Sequence, residues 1–230
     1  MRKTMKYEMV YFDLDNTLLD FSRSEKESLC CVLAKYGYDL TDEQVQLYVQ
    51  INKKWWQAFS VGSYSKEYIV VARFEEFLEK IKANDLLPDV IAQEYLEKLS
   101  NTAYFMEGAE QFLEKMKIMG QRMAVLTNGV EKVQKGRAKL LDLDRFVEFI
   151  LTSEKVGKPK PDPAIFVMAS QISGVSLANS IYVGDDLAVD YEAAKNAGVD
   201  FILFDPSGTY RDGDFTTVTT FNELYTALCV

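Results

Sequence analysis

The sequence predicts an α/β fold: a doubly wound, Rossmann-like parallel sheet core with an inserted all-helical cap domain. Three observations carry that reading. From residue 107 onward, short apolar runs alternate with amphipathic stretches, the pattern of a parallel sheet with helices on both faces. Between Ser22 and Ser100 the periodicity is helical and no convincing strand interrupts it. Polar segments rich in Asp, Asn, Thr and Lys follow several of the apolar runs, and the carboxyl ends of strands are where an open α/β sheet binds ligands.

Met9-Val10-Tyr11-Phe12 is the first strand, a buried apolar run that ends at Asp13. Ser22 to Tyr36 reads as a helix stopped at Gly37, and Thr41-Asp42-Glu43-Gln44 as a capping box opening a helix towards Trp56. Ser65 to Lys82 and Asp89 to Ser100 supply two further helices. The core pattern then resumes. Glu107 to Met119 is a helix ending at Gly120, Arg122 to Leu126 a strand, Val130 to Leu141 a helix and Phe149 to Leu151 a strand. Pro163 to Ser173 is a helix with proline in its first turn. Ile181 to Val183 is a strand, Leu187 to Ala197 a helix ending at Gly198, Phe201 to Phe204 a strand, and Phe221 to Leu228 the last helix. Residues 1–20 and 101–230 are thereby assigned to the core, and 21–100 to a cap over the carboxyl edge of the sheet.

With 230 residues, 48% of them hydrophobic, the chain is long enough to bury a substantial core without covalent staples. A net charge of −9 argues against a nucleic-acid polymer or an anionic membrane as partner. It leaves room for a small anionic substrate met by a local cation. The basic start, Met1-Arg2-Lys3-Thr4-Met5-Lys6, is followed by an apolar run too short for a signal peptide. No stretch approaches the roughly 18–20 apolar residues of a membrane span, so the expected location is cytoplasmic. Cys30, Cys31 and Cys229 suggest neither a disulfide framework nor a metal site. Histidine is absent, which excludes Ser-His-Asp and Cys-His catalysis and any zinc site built on imidazole.

Four segments carry the chemistry. In Asp13-Leu14-Asp15-Asn16-Thr17, two carboxylates stand two residues apart at the end of a buried strand, where a charge must be paired, metal-bound or protonated. Thr127-Asn128-Gly129 joins a strand end to a helix start, either an anion site or an ordinary cap and turn. Val156-Gly157-Lys158-Pro159-Lys160-Pro161-Asp162-Pro163 holds two lysines among three prolines, either a restrained lysine that loses less entropy on engaging an anion or, for at least one of the two, a solvated basic loop. Gly184-Asp185-Asp186 leads on to Asp190, either a Mg²⁺ site or acids favoured by a helix dipole. Together they supply what phosphoryl transfer through an aspartyl phosphate requires.

These segments, in this order, resemble the haloacid dehalogenase-like hydrolases, in the branch with an inserted helical cap. The resemblance implies that Asp13 is the nucleophile and a Mg²⁺ ligand. It implies that Asp15 is the general acid and then the base, with its backbone carbonyl also on Mg²⁺. Thr127 and Asn128 would hold phosphoryl oxygens, and Lys160 would screen nucleophile and phosphate. Asp185 would complete the metal site, with Asp190 supporting it from behind. Lys158 does not align with the family lysine, and Asp186 either tunes metal affinity or faces solvent.

An acid at position 15 separates phosphatases from the dehalogenases and phosphonate hydrolases that resemble this fold. The segment from Gln50 to Phe59, with Gly62 and Arg73-Phe74, looks like the cap of the pyrimidine 5′-nucleotidases of this superfamily. There Trp56 or Phe59 would stack on a base and Lys53 or Arg73 would meet a polar group; the equal alternative is that the aromatics pack the cap's own core. The expected function is Mg²⁺-dependent hydrolysis of a nucleoside 5′-monophosphate, a small phosphate ester. A sugar-phosphate phosphatase or a phosphomutase is the alternative, and a non-catalytic phospho-aspartate switch or binding module the distant one.

Overall fold

The computed structural model describes residues 5–210 and 215–229. Met1 to Thr4, most of the basic N-terminal run, lie outside the described residues. The elements in chain order begin with β1 (Met9–Phe12), α1 (Phe21–Ala34), α2 (Asp42–Ser60), α3 (Lys66–Lys80), α4 (Pro88–Ser100) and α5 (Ala109–Ile118). They continue with β2 (Arg122–Thr127), α6 (Glu131–Leu140), β3 (Ile150–Thr152), α7 (Ser153–Val156) and α8 (Ala164–Ser173). The chain ends with β4 (Ser180–Gly184), α9 (Glu192–Ala197), β5 (Asp200–Phe204), β6 (Thr216–Val218) and α10 (Phe221–Leu228).

The six strands among the described residues form one parallel sheet in the order β3-β2-β1-β4-β5-β6. This is the doubly wound arrangement expected from the alternation. β1 is buried along its whole length, as a strand covered on both faces must be. Its alternate residues separate two layers of core. Met9 and Tyr11 join Phe166 and Ala169 of α8 and Ala193 and Ala194 of α9. On the other face Phe12 meets Phe112 of α5 edge-on at 6.0 Å, and Phe112 meets Phe221 of α10 at 5.2 Å.

The chain packs as two compact units. One comprises the described residues of 1–20, 104–129 and 141–230 and contains the sheet; the other comprises 21–103 and 130–140. The second unit is helical. Thr41 caps α2 as its sequence predicts, accepting from the Gln44 amide at 3.3 Å while its own amide donates to Gln44 Oε1 at 2.9 Å. The core of this unit is built on Tyr48, whose ring lies 5.2 Å from Phe74 and from Phe77 and 5.7 Å from Tyr95. α6 belongs to this unit because it approaches α4 closely: a Cβ at Gly136 would fall 1.9 Å from Ser100 Oγ. Of the side chains expected to meet substrate, Arg73 is buried. Its Nη1 donates to Asn52 Oδ1 at 2.6 Å, and Asn52 Nδ2 donates to Glu25 Oε1 at 2.6 Å. Phe59 is buried, Trp56 half-buried and Lys53 exposed.

Three features depart from the pattern read along the chain. β6 carries two threonines and one buried valine, so no apolar run announces it; it is held by backbone pairing to β5. α7 spans four residues, too short for a helical period to register. The helix expected from Leu187 opens instead with a wide π turn over Leu187–Tyr191, after which α9 begins. Among the described residues, no helix is long and apolar enough to cross a membrane.

Candidate active site

The strand order reverses between β1 and β4, and in open α/β sheets the crevice at that point receives ligands. Asp13 and Asp185 are the residues that follow those two strands. The Asp13 amide still donates to the Val183 carbonyl at 2.8 Å, so the β1–β4 ladder runs up to the first carboxylate and fixes it. Beyond it the chain makes a tight turn. Asn16 adopts a left-handed conformation with φ 57°, which asparagine tolerates better than most residues. The Asn16 amide donates to the Leu19 carbonyl at 2.7 Å. Asp15 rides on this turn and is half-buried.

Lys160 reaches the same point from the loop ahead of α8, and its side chain is 1% exposed. Its ammonium donates to Asp13 Oδ1 at 2.6 Å, to Asp190 Oδ1 at 2.7 Å, to the Tyr182 hydroxyl at 2.6 Å and to the Leu126 carbonyl at 3.1 Å. Asn128 clamps the backbone of this lysine from both sides. Its Oδ1 accepts from the Lys160 amide at 2.9 Å and its Nδ2 donates to the Lys160 carbonyl at 2.9 Å. The Asn128 side chain therefore braces Lys160 with its oxygen and one of its two amide protons. The buried Thr127, last residue of β2, accepts from the Gly129 amide at 3.0 Å.

Carboxylate oxygens of Asp13, Asp185 and Asp190 lie within 4.8 Å of one another. Asp190 gets there because residue 184 is glycine: a Cβ at that position would fall 2.4 Å from Asp190 Oδ2. Three carboxylates, two of them buried and Asp185 half-buried, share one ammonium, and burial together with their mutual repulsion acts on their titration. Burial pushes the Asp13 carboxyl up to about 8; Lys160 opposes the rise, while Asp190 and Asp15 add to it. Burial, then Asp190 and Asp13, push Asp185 well above the ordinary carboxylate range. Burial also works against the Lys160 charge, but Asp13 and Asp190 outweigh it and hold the ammonium above its ordinary range.

The sheet unit thus brings Asp13, Lys160, Asp185 and Asp190 together, with Asn128 bracing the lysine. The Asp186 carboxylate uses one oxygen as a cap. Its Oδ1 accepts from the amides of Ala188 at 2.8 Å and Val189 at 3.0 Å, capping the turn that carries Asp190. Lys158 pairs with Asp162 at 3.1 Å with most of its side chain in solvent. Sequence reasoning missed Tyr182, whose hydroxyl touches Lys160. The signal was there in a tyrosine inside a fully buried strand, because a buried phenol usually finds a hydrogen-bond partner.

The profile of the haloacid dehalogenase-like hydrolases matches residues 10–204. The chain is 29% identical to the pyrimidine 5′-nucleotidase PynA of Streptococcus pneumoniae, over 88% of this chain and 85% of that protein. It is 28% identical to a ribulose-1,5-bisphosphate 5-phosphatase of Halopiger xanaduensis, over 86% and 84% of the two chains. The crystal structure of the hydrolase YfnB of Bacillus subtilis, bound to magnesium, superposes with a TM-score of 0.89 at 25% identity, covering 97% of this chain and 99% of that one. The chain belongs to the haloacid dehalogenase-like hydrolases.

Proposed function

We propose that this hydrolase is a Mg²⁺-dependent phosphatase that cleaves a small phosphate monoester, foremost a pyrimidine nucleoside 5′-monophosphate, through an aspartyl phosphate on Asp13. The observation that carries the chemistry is the Lys160 ammonium held 2.6 Å from Asp13 at the sheet's reversal point, beside Asp185. The donor set suits Mg²⁺, which takes one or two carboxylates together with waters and phosphate oxygens. Asp13 and Asp185, with the Asp15 carbonyl, are the residues that would hold the ion. When bound, it supplies positive charge that offsets the carboxylate excess and polarises the phosphoryl group.

The protein's own residues do the following. Lys160 fixes Asp13 through Oδ1, so the carboxylate is oriented when substrate arrives, and a nucleophile held in place needs no reorganisation. An Asp13 oxygen forms a bond to phosphorus as the bond from phosphorus to the leaving oxygen breaks. Asp15, in its protonated form, gives its proton to that oxygen. Water then attacks the aspartyl phosphate, Asp15 takes the water's proton, and the bond between phosphorus and Asp13 breaks to release inorganic phosphate. Asn128 keeps Lys160 in register through both steps.

The nucleotide assignment is supported by the resemblance to PynA along most of both chains. A sugar phosphate is the second reading, favoured by the similarity to the bisphosphate phosphatase. Phosphate release from a panel of nucleoside monophosphates and sugar phosphates, with Mg²⁺ and with chelator, tests both. Release that needs Mg²⁺ and favours pyrimidine monophosphates is the expected result. Release from sugar phosphates alone keeps the chemistry and overturns the nucleotide. Absence of release, with a stable phosphorylated Asp13, would favour a switch. Asp13→Asn should lower turnover by at least about a thousandfold while the chain stays folded.

A further inference from the structure

We propose that Tyr182 is a positioning residue of this site, whose hydroxyl sets how the Lys160 ammonium is shared between Asp13 and Asp190. The inference rests on the phosphatase reading for its kinetic consequence, but its geometry stands apart from it. An ammonium has three N–H donors and accepts nothing. Around Lys160 Nζ stand four oxygen acceptors: Asp13 Oδ1 and the Tyr182 hydroxyl at 2.6 Å, Asp190 Oδ1 at 2.7 Å and the Leu126 carbonyl at 3.1 Å. Every N–H is matched within the protein, and all four acceptors are buried with the lysine. Lys160 is therefore fully partnered before substrate arrives.

Tyr182 stands at the centre of this arrangement. Because lysine can only donate, the Tyr182 oxygen accepts from it and the single hydroxyl proton is left for another partner. Asp190 Oδ1 is 2.8 Å away and the Leu126 carbonyl 3.3 Å, so the proton goes to Asp190. The other Asp190 oxygen accepts from the Asp186 amide at 3.2 Å. Two carboxylates compete for one cation. Each bond that Asp190 receives from elsewhere weakens its claim on Lys160 and leaves more of the ammonium to Asp13. The ring is held in place for this purpose, edge-on to Phe166 at 4.9 Å and 6.1 Å from Phe201. A phenylalanine would pack equally well there; only the hydroxyl acts on the site.

Tyr182→Phe tests this. Without the hydroxyl, Asp190 draws Lys160 away from Asp13. The expected result is a kcat lowered about tenfold with KM within about twofold of wild type, because the nucleophile's orientation matters in the transition state and not in substrate capture. The thermal midpoint should stay within a few degrees. The second readout is NMR of protein labelled at the lysine side-chain nitrogen, where the buried Lys160 ammonium should give a slowly exchanging signal that shifts in the variant. An unchanged kcat, or a loss of activity that merely follows a loss of folded protein, overturns the proposal. So does an unmoved Lys160 signal. If wild type releases no phosphate from any monoester, the phosphatase reading fails while the NMR shift still decides the role of Tyr182. If the variant does not fold, the wild-type spectrum decides: a slowly exchanging Tyr182 hydroxyl proton coupled to Asp190 is required, and its absence refutes the arrangement.

Discussion

A single methyl group placed behind the site, at Gly184, should disable it. In Gly184→Ala the new Cβ would lie 2.4 Å from Asp190 Oδ2, 2.6 Å from Cγ and 2.7 Å from Cβ. Ordinary contacts between such atoms are about 3.5–4 Å, so roughly an ångström must be found. Rotating the carboxylate does not provide it, because the Asp190 Cβ is itself in the way; the π turn over Leu187–Tyr191 has to move. That displacement stretches the 2.7 Å bond to Lys160 and the 2.8 Å bond from Tyr182. Overpacking costs about 1–3 kcal/mol, and a weakened charge-assisted bond about 1.5–3 kcal/mol more. Replacing glycine inside a strand returns about 0.5–1 kcal/mol. The net loss is about 2–5 kcal/mol, which for a chain of this size lowers the thermal midpoint by roughly 5–15 °C. Turnover should fall more than stability implies, by about 10–100-fold at a temperature where the variant is fully folded, since an ammonium that loses its Asp190 anchor no longer holds the position that orients Asp13. Thermal melts and steady-state kinetics on the same preparation measure both. A variant with wild-type midpoint and wild-type kcat would refute the packing of Asp190 on Gly184 and the coupling of that contact to Lys160.

Asp186→Ala separates capping from metal binding: it should cost about 1 kcal/mol of stability through the two lost cap bonds while Mg²⁺ affinity changes less than about threefold, and a large loss of affinity would place Asp186 on the ion. Asn128→Ala removes both bonds to the Lys160 backbone and should lower kcat about 10–100-fold, read in the same phosphate-release assay; unchanged kcat would mean the lysine loop holds itself. The metal-free protein should lose stability as pH rises. The Asp13 carboxyl is raised in the folded chain from 3.8 to about 8, so its contribution is present in full below about pH 4 and is lost as pH climbs through 8. Melting curves with and without Mg²⁺ should show the cation protecting more at pH 8 than at pH 5.5; equal protection at both would argue that Asp13 is not crowded as described.

Much of the fold was written locally. β1, β2, β4 and β5 announce themselves as apolar runs because a strand buried on both faces has no polar side to show. Three helices carry side-chain caps in the sequence: Thr41 with Gln44 for α2, Ser65 for α3 and Thr220 for α10. What escaped was structure held by something other than its own side chains. β6 is kept by its backbone bonds to β5, and its threonines give no hint of that. The π turn is shaped by Asp186 capping it and by Asp190 seated on Gly184; a helical period read from Leu187 onward cannot register an extra residue in one turn.

The candidate site divides along the same line. Asp13 and Asp185 are legible because each follows a strand, and the parallel register that aligns Phe12 with Val183 brings two strand ends side by side. The direction of a side chain on a loop is not fixed in that way. Asn128 and Lys160 are 32 residues apart, and nothing local tells the amide to clamp the lysine backbone. Tyr182 is the more instructive case. Its position is set by the strand, its burial by the sheet, and the need of its hydroxyl for a partner by the physics of desolvation; only the identity of that partner was missing. A tyrosine inside a buried strand therefore announces a partner without naming it: Tyr182 finds Lys160 at 2.6 Å, while Tyr11 of β1 finds Ser173 at 3.0 Å.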